Sequence, residues 1–186
     1  MRTLIQIMFT AAFIAALPVS NSAQSSVNGL YKTENDFVEN RLTDRESTNE
    51  QNRIQSYRGV LKVYRKGKCT LYKSGSVYGY QQDGITYRAI PGRSWFSENG
   101  YCKVVRSGAF VIYTKHSTHH RSNGRAWYYY SVGVTGEIKR LTKQNLIKDF
   151  SNKPEFLSAA CAQLEKTEPS EWLVISDLYV NFNKPR

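Results

Sequence analysis

Alternation of apolar and polar residues between positions 57 and 141 is the feature that most limits what this chain folds into. Tyrosine, valine and isoleucine recur at every second place in several short runs, and glycine separates the runs. A period of two is typical of antiparallel strands with one buried face. Asp83-Gly84 marks a tight hairpin, because both residues tolerate a positive φ angle. The region predicts about seven strands in an antiparallel β-meander that curls into a small barrel or sandwich.

The hydrophobic period becomes helical after residue 141. Leu146 and Phe150 fall on one side of a helix that Thr142 caps. A second helix follows, with Asn152 as its predicted cap and Pro154 in its first turn. Apolar residues spaced three, four and three apart near the C-terminus predict a third helix, with two short strands as the alternative.

The N-terminal part of the chain has few apolar residues. Thr33 and Asp36 form a predicted capping box at the start of a short helix. Residues 43–56 are almost wholly polar, which is typical of a mobile connection. We therefore expect residues 24–56 to be a loose segment with one short helix.

These patterns predict an α+β fold with a short N-terminal helix, an antiparallel sheet and C-terminal helices. The β region covers residues 57–141 and the C-terminal helical region covers residues 142–186. Together they are expected to form one domain, since domains of roughly this size are common.

The first 23 residues have the order of a secretory signal peptide. Arg2 supplies a positive start, the 14 residues from 4 to 17 are almost all apolar, and small residues precede position 24. We expect cleavage after Ala23, with Ser22 as the alternative. The apolar run is shorter than the roughly 20 residues of a spanning helix, which disfavours a retained anchor. The sequence predicts export to the periplasm, the cell envelope or the medium, with no transmembrane helix in the mature chain.

The chain has a formal net charge of +11, and Arg2 is the only charged residue of the predicted signal peptide. The mature protein is therefore strongly basic, and a positive field raises its rate of encounter with polyanions. Outside the cytoplasm these are acidic proteins, polysaccharides and lipid head groups. The alternative is that the charge serves only to keep the protein soluble.

Aromatic and basic residues interleave in two parts of the strand region. The first series is Tyr57, Arg58, Tyr64, Arg65, Lys66, Lys68, Tyr72 and Lys73, and the second is Arg121, Arg125 and the aromatic run 127–130. Rings that stack and cations that pair with anions favour a binding face for an anionic macromolecule. The predicted contacts are Lys66, Lys68, His116, His119, His120, Arg121 and Arg125. The alternative is ordinary sheet packing, in which tyrosines bridge core and surface.

The three histidines of the chain lie within five residues, at His116, His119 and His120. Strand-like sequence on both sides places them in a hairpin loop, and no cysteine or carboxylate lies near them in sequence to complete a metal site. We predict no metal site and no cofactor, and interpret the stretch as a basic loop.

Three cysteines follow the predicted cleavage site. An oxidising compartment permits a disulfide, and an odd number leaves at least one thiol over. Cys69 and Cys102 lie in strand-like sequence, whereas Cys161 lies in a helical pattern. The predicted disulfide is therefore Cys69–Cys102.

No catalytic residue is predicted. The sequence lacks the G-x-S-x-G of serine hydrolases and the signatures of cysteine hydrolases. No pair of carboxylates stands out, as a glycosidase would need. The leading hypothesis is a non-enzymatic protein that binds another macromolecule through a basic, aromatic-rich face. The alternatives are a hydrolase acting on envelope polymers and a structural or assembly subunit.

Three short stretches carry a resemblance. The sequence is GLYKTENDF at 29–37, GEIKRLTKQNL at 136–146 and PEF at 154–156. These stretches resemble small exported proteins of unknown function from Bacteroidetes-type bacteria. The resemblance implies export and supplies no catalytic residue.

Overall fold

The computed structural model describes residues 27–47, 52–57, 60–73, 75–90, 100–116, 126–166 and 168–183. The strands are β1 (Val27–Tyr31), β2 (Thr43–Ser47), β3 (Arg53–Tyr57), β4 (Val60–Arg65), β5 (Lys68–Lys73), β6 (Gly79–Gln82), β7 (Ile85–Ile90), β8 (Gly100–Arg106), β9 (Phe110–His116), β10 (Ala126–Val132) and β11 (Lys139–Arg140). The helices are α1 (Glu34–Val38), α2 (Lys143–Phe150), α3 (Pro154–Leu164), a 3-10 helix (Pro169–Leu173) and α4 (Val174–Phe182). The predicted α+β class with an antiparallel sheet is confirmed.

Eight strands form one antiparallel sheet in the order β11-β10-β9-β8-β7-β6-β1-β2. Its two edge strands, β11 and β2, do not pair with each other within the described residues, so the sheet is not a closed barrel. The other three strands form a separate antiparallel sheet in the order β3-β4-β5. The described part of residues 57–141 contains eight strands, β4 to β11, close to the predicted number, but the prediction of a single meander is wrong because β4 and β5 pair with β3 in a separate sheet. Three further strands, β1 to β3, begin before this region.

The extra strands come from the segment that was expected to be loose. β1 lies inside the large sheet between β2 and β6, and its Leu30 and Tyr31 are buried. β2 and β3 occupy most of residues 43–56, so the prediction of a mobile connection is wrong there. β2 and β3 are short and largely polar, and they pair with strands close to them in the chain, β1 and β4. β1 also pairs with β6, which is distant in sequence. A search for hydrophobic alternation does not detect short strands of this kind.

The two sheets meet through one hydrophobic cluster. Ile54, Leu61 and Val63 of the small sheet pack with Leu30 and Tyr80 of the large sheet. Two polar contacts cross the same junction: the Asn28 side chain donates to the Asn52 carbonyl at 2.9 Å, and the Ile54 N–H donates to the Gln82 side chain at 2.8 Å. One face of the small sheet is thus fixed against the large sheet.

The helices cover the other end of the large sheet. Their core contains Phe110 and Tyr130 of the sheet with Phe150, Phe156 and Ile175 of the helices. Phe110 and Tyr130 stack with ring centroids 5.1 Å apart. Aromatic contacts of this kind add to the area that the cluster buries.

Two of the three predicted helix features at the C-terminus are confirmed. The Thr142 side chain accepts from the Asn145 N–H at 3.3 Å and caps α2. The C-terminal segment is helical, so its interpretation as two strands is wrong. The predicted Asn152 cap is also wrong: α3 begins with Pro154, and Lys153 precedes it without a side-chain cap.

Two local predictions nearer the N-terminus are also confirmed. The capping box forms, because the Asp36 N–H donates to the Thr33 hydroxyl at 3.1 Å and the Thr33 N–H donates to the Asp36 carboxylate at 3.0 Å. Hydrogen bonds from Thr33 and from Arg41 lower the pKa of Asp36. Asp83 and Gly84 have φ angles of +52° and +74° and form the predicted hairpin turn between β6 and β7.

The predicted signal peptide, residues 1–23, lies outside the described residues. No helix in the described part of the chain combines the length and the apolar character needed to cross a membrane.

Two leucines on neighbouring strands test the burial of the small sheet. Leu61 on β4 is fully buried and Leu71 on β5 is 64% exposed. We expect Leu61→Ala to lower the free energy of unfolding by about 2–5 kcal/mol, because a buried leucine loses its transfer energy and leaves a cavity. Leu71→Ala should change it by less than about 0.5 kcal/mol. Urea unfolding measures both, and equal losses would contradict the assigned faces.

Candidate binding face

Pairing within the small sheet decides which side chains face the core and which face away. Directly paired residues of antiparallel strands share a face, and neighbours along a strand alternate. Leu61 and Val63 of β4 are buried on the inner face. We call the opposite side the outer face. It has three rows: Tyr57–Val60–Lys73, Gln55–Lys62–Leu71 and Arg53–Tyr64–Cys69.

The outer face has cations and no acidic residue. Residues 51–82 contain seven lysines and arginines and no aspartate or glutamate. Arg53, Lys62 and Lys73 lie on the outer face. Within the described residues no ion pair involves any of these three. In the part of the chain that the structure describes, no carboxylate therefore offsets these three charges.

On the inner face of the small sheet, by contrast, a cation is paired with a carboxylate. Arg65 approaches the Asp44 carboxylate of β2 at 3.3 Å and donates to the Asp44 backbone carbonyl at 3.0 Å. Lys32 approaches the same carboxylate at 3.3 Å. A hydrogen bond from Arg65 is the main cause that lowers the pKa of Asp44. This cation serves the junction of the two sheets and is unavailable to an external anion.

The three outer cations lie along one diagonal of the sheet. Arg53 pairs with Tyr64, two places from Lys62, and Lys73 pairs with Val60, two places from Lys62 in the other direction. Diagonal neighbours in an antiparallel sheet are about 7–8 Å apart. We call this set, Arg53, Lys62 and Lys73, the basic diagonal. It crosses all three strands and presents three positive charges to one side.

Aromatic and aliphatic side chains flank the basic diagonal. The Arg53 guanidinium lies 4.8 Å from the centre of the Tyr64 ring, a cation–π distance. Tyr57 and Leu71 are 56% and 64% exposed. The outer face thus combines charge with exposed apolar surface.

Two of the predicted contact residues lie at one end of this sheet. Lys66 and Gly67 have positive φ angles, +46° and +78°, and form the turn between β4 and β5. The Lys66 N–H donates to the Asn52 side chain at 3.1 Å, which holds the turn against β3. Lys66 and Lys68 are both exposed there. Lys68 pairs with Arg65, so it belongs to the inner-face side of the sheet, whereas Lys66 lies in the turn at the end of the sheet.

The other predicted contacts are not brought to this face within the described residues. His116 is the last residue of β9 in the large sheet. His119, His120, Arg121 and Arg125 lie outside the described residues. No group of three or more metal-binding side chains occurs in the described ranges.

The aromatic run of β10 belongs mainly to the core. Tyr128 and Tyr130 pack in the cluster under the helices, and Tyr129 packs on the opposite side of the sheet. The Arg140 guanidinium lies 3.7 Å from the centre of the Trp127 ring. Ordinary sheet packing thus accounts for the aromatic residues of this series.

The sequence analysis predicted none of the basic diagonal as contacts: Lys73 was named only in the interleaved series, and Arg53 and Lys62 were not named at all. Arg53 fell in the segment expected to be mobile, and Lys62 lay in a predicted strand whose outward side was not separated from its inward side. The absence of acidic residues from 51–82 was a signal that could have found both.

The cysteines are free thiols, so the predicted Cys69–Cys102 disulfide is absent from the structure. Cys69 is exposed on the outer face of the small sheet, whereas Cys102 is buried in the large sheet with Val111 and Tyr113. The Cys102 thiol donates to the Arg88 carbonyl at 3.4 Å. Burial raises the pKa of Cys102 to about 12, so at neutral pH it is a thiol rather than the nucleophilic thiolate.

Arg88 is a second basic feature, and it lies inside the protein. Its side chain is buried and donates to the Tyr113 hydroxyl at 2.8 Å and to the carbonyls of Thr135 and Gly136 at 3.1 and 2.9 Å. Most of its N–H groups are therefore used by protein acceptors. The residue ties β7 to the turn between β10 and β11.

An open depression of about 250 Å³ lies beside the helices. Its lining residues are Leu141, Thr142, Lys143, Cys161, Leu164, Glu165 and Trp172. Lys143 and Glu165 approach each other at 3.4 Å. The walls are mostly apolar, and the paired charges do not supply an unbalanced cation of the kind found on the outer face.

No protein-family model, curated protein or solved structure matches the chain. The resemblance to small exported bacterial proteins therefore stays a prediction. The candidate binding face rests on the geometry and charge described above.

Thiol chemistry tests the placement of the cysteines. In the folded protein, Cys69 should react rapidly with a maleimide, and Cys102 should react only on unfolding because it is buried and its thiol is protonated. Peptide mapping by mass spectrometry identifies the labelled residue. A linked Cys69–Cys102 peptide pair in a non-reduced digest would contradict the structure.

Proposed function

We propose that the mature chain is an exported, non-enzymatic protein that binds an anionic macromolecule through the outer face of its small sheet. The basic diagonal, Arg53, Lys62 and Lys73, supplies the charge that attracts the anion. The observation that carries the proposal is that three cations share one face with no carboxylate in any of its three rows. Export is proposed from the order of residues in positions 1–23.

The basic residues of the small sheet differ in whether they form ion pairs, and this difference supports a binding role. Solubility requires only that charges face water, and mixed signs serve that purpose well. Here Arg65 pairs with Asp44 at the junction, while Arg53, Lys62 and Lys73 remain together on the opposite face. Grouping like charges raises their mutual repulsion, and a polyanion relieves it on binding.

Charge reversal on the basic diagonal tests the proposal. We expect Lys62→Glu with Lys73→Glu to lower the affinity for dextran sulfate at low ionic strength about ten-fold or more, because two attractive contacts become repulsive. The affinity of the unaltered protein should also fall as salt is added. Isothermal titration calorimetry of the full chain measures both effects.

A second pair of charge reversals distinguishes binding at the outer face from attraction by the overall positive charge of the protein. Lys148→Glu with Lys166→Glu changes the net charge equally, at exposed positions of the helical region. That variant should retain most of the affinity. If both pairs of substitutions weaken binding to the same degree, net charge alone drives it and the proposed face is wrong.

A further inference from the structure

Exposed apolar side chains on the outer face narrow the choice of ligand. Leu71 and Tyr57 are the most exposed of the large hydrophobic residues in the described part of the chain, at 64% and 56%. Leu71 pairs with Lys62, and Tyr57 lies in the same row as Lys73. Leu71 is thus directly beside Lys62, and Tyr57 is a diagonal neighbour of Lys62, because it pairs with Val60 two places away on β4.

A soluble linear polyanion would use only part of this surface. Such a chain pairs with Arg53, Lys62 and Lys73, but it gains little from a leucine in water. A single-stranded nucleic acid would stack its bases on open aromatic rings. The Arg53 guanidinium already lies over the Tyr64 ring at 4.8 Å, which reduces the ring surface available for stacking.

A folded protein partner would need more area than this face supplies. Strands about 4.8 Å apart and same-face residues about 6.8 Å apart give three rows on three strands an area of about 300 Å². A stable protein interface covers roughly 800 Å² on each partner. The outer face is well below that size.

An anionic lipid surface matches both the cations and the exposed apolar side chains of the outer face. Its phosphate groups lie above an apolar layer, so lysine and arginine can reach the phosphates while tyrosine and leucine enter the interface. Tyrosine in particular is enriched at this boundary. Each lysine or arginine near such a surface raises partitioning about five-fold. A small, flat face suffices, because the partner is itself a plane.

We infer that the outer face docks peripherally on membranes rich in anionic lipids, with Leu71 and Tyr57 inserted and the basic diagonal at the phosphates. This inference rests on the proposed function, since it names the ligand of the same face. It explains why three cations and the most exposed hydrophobic residues of the described part of the chain share one face.

Vesicle sedimentation tests the inference with the full chain. We expect partitioning onto vesicles of phosphatidylcholine and phosphatidylglycerol, and at least ten-fold weaker partitioning onto phosphatidylcholine alone. Leu71→Ser with Tyr57→Ser should lower partitioning onto the anionic vesicles several-fold and leave the affinity for dextran sulfate unchanged. Ile147→Ser on α2, where the side chain is 46% exposed, is the matched control and should change neither. Leu71→Phe keeps an apolar group and should retain partitioning.

The outcomes distinguish this inference from the proposed function. Binding to dextran sulfate without binding to anionic vesicles would overturn the lipid assignment and leave the binding face intact. Vesicle binding that ignores Leu71 and Tyr57 would also overturn it, because insertion is its distinguishing claim. Stronger binding to a single-stranded oligonucleotide than to vesicles would assign the face to nucleic acid instead. Binding to none of these probes would refute both proposals.

Discussion

Burial of Ile54, Leu61 and Val63 is the constraint on which the candidate face depends. These side chains pack against Leu30 and Tyr80 of the large sheet. A slip of one residue in strand pairing would turn every side chain to the other side of the sheet. It would place charged residues of the basic diagonal in an apolar cluster, at a cost of several kcal/mol for an unpaired buried charge. The core of the small sheet therefore fixes its outer surface.

The large sheet supplies the platform for this arrangement. One end receives the inner face of the small sheet and the other receives the helices, through two separate clusters. Arg88 links β7 to the turn that follows β10, using hydroxyl and carbonyl acceptors. The protein thus contains basic residues in three settings: buried in the large sheet, paired with Asp44 at the junction, and grouped on the outer face, whose three rows contain no acidic residue.

The sequence analysis correctly predicted the strands and helices that have a hydrophobic pattern or a cap within their own residues. Alternation of apolar and polar residues predicted most strands between β4 and β10. The helical spacing of apolar residues, together with the Thr142 cap, predicted the C-terminal helices. β1, β2 and β3 were missed because β2 and β3 are short and carry little hydrophobic alternation, and because β1 is held in the sheet by pairing with the distant β6. The residues of the candidate site also differ in whether the sequence alone predicts them. Lys66 and Lys68 were predicted from the interleaving of aromatic and basic residues, whereas the basic diagonal exists only because β3, β4 and β5 pair in one register.

The most direct test of the account maps where an anion contacts the folded chain. Amide chemical shifts of isotopically labelled protein, followed during titration with dextran sulfate, report contact residue by residue. The account predicts that the largest changes occur on β3, β4 and β5, with Lys62 near their centre, and that α2 to α4 change little. Changes of equal size over all basic surfaces would contradict a dedicated binding face.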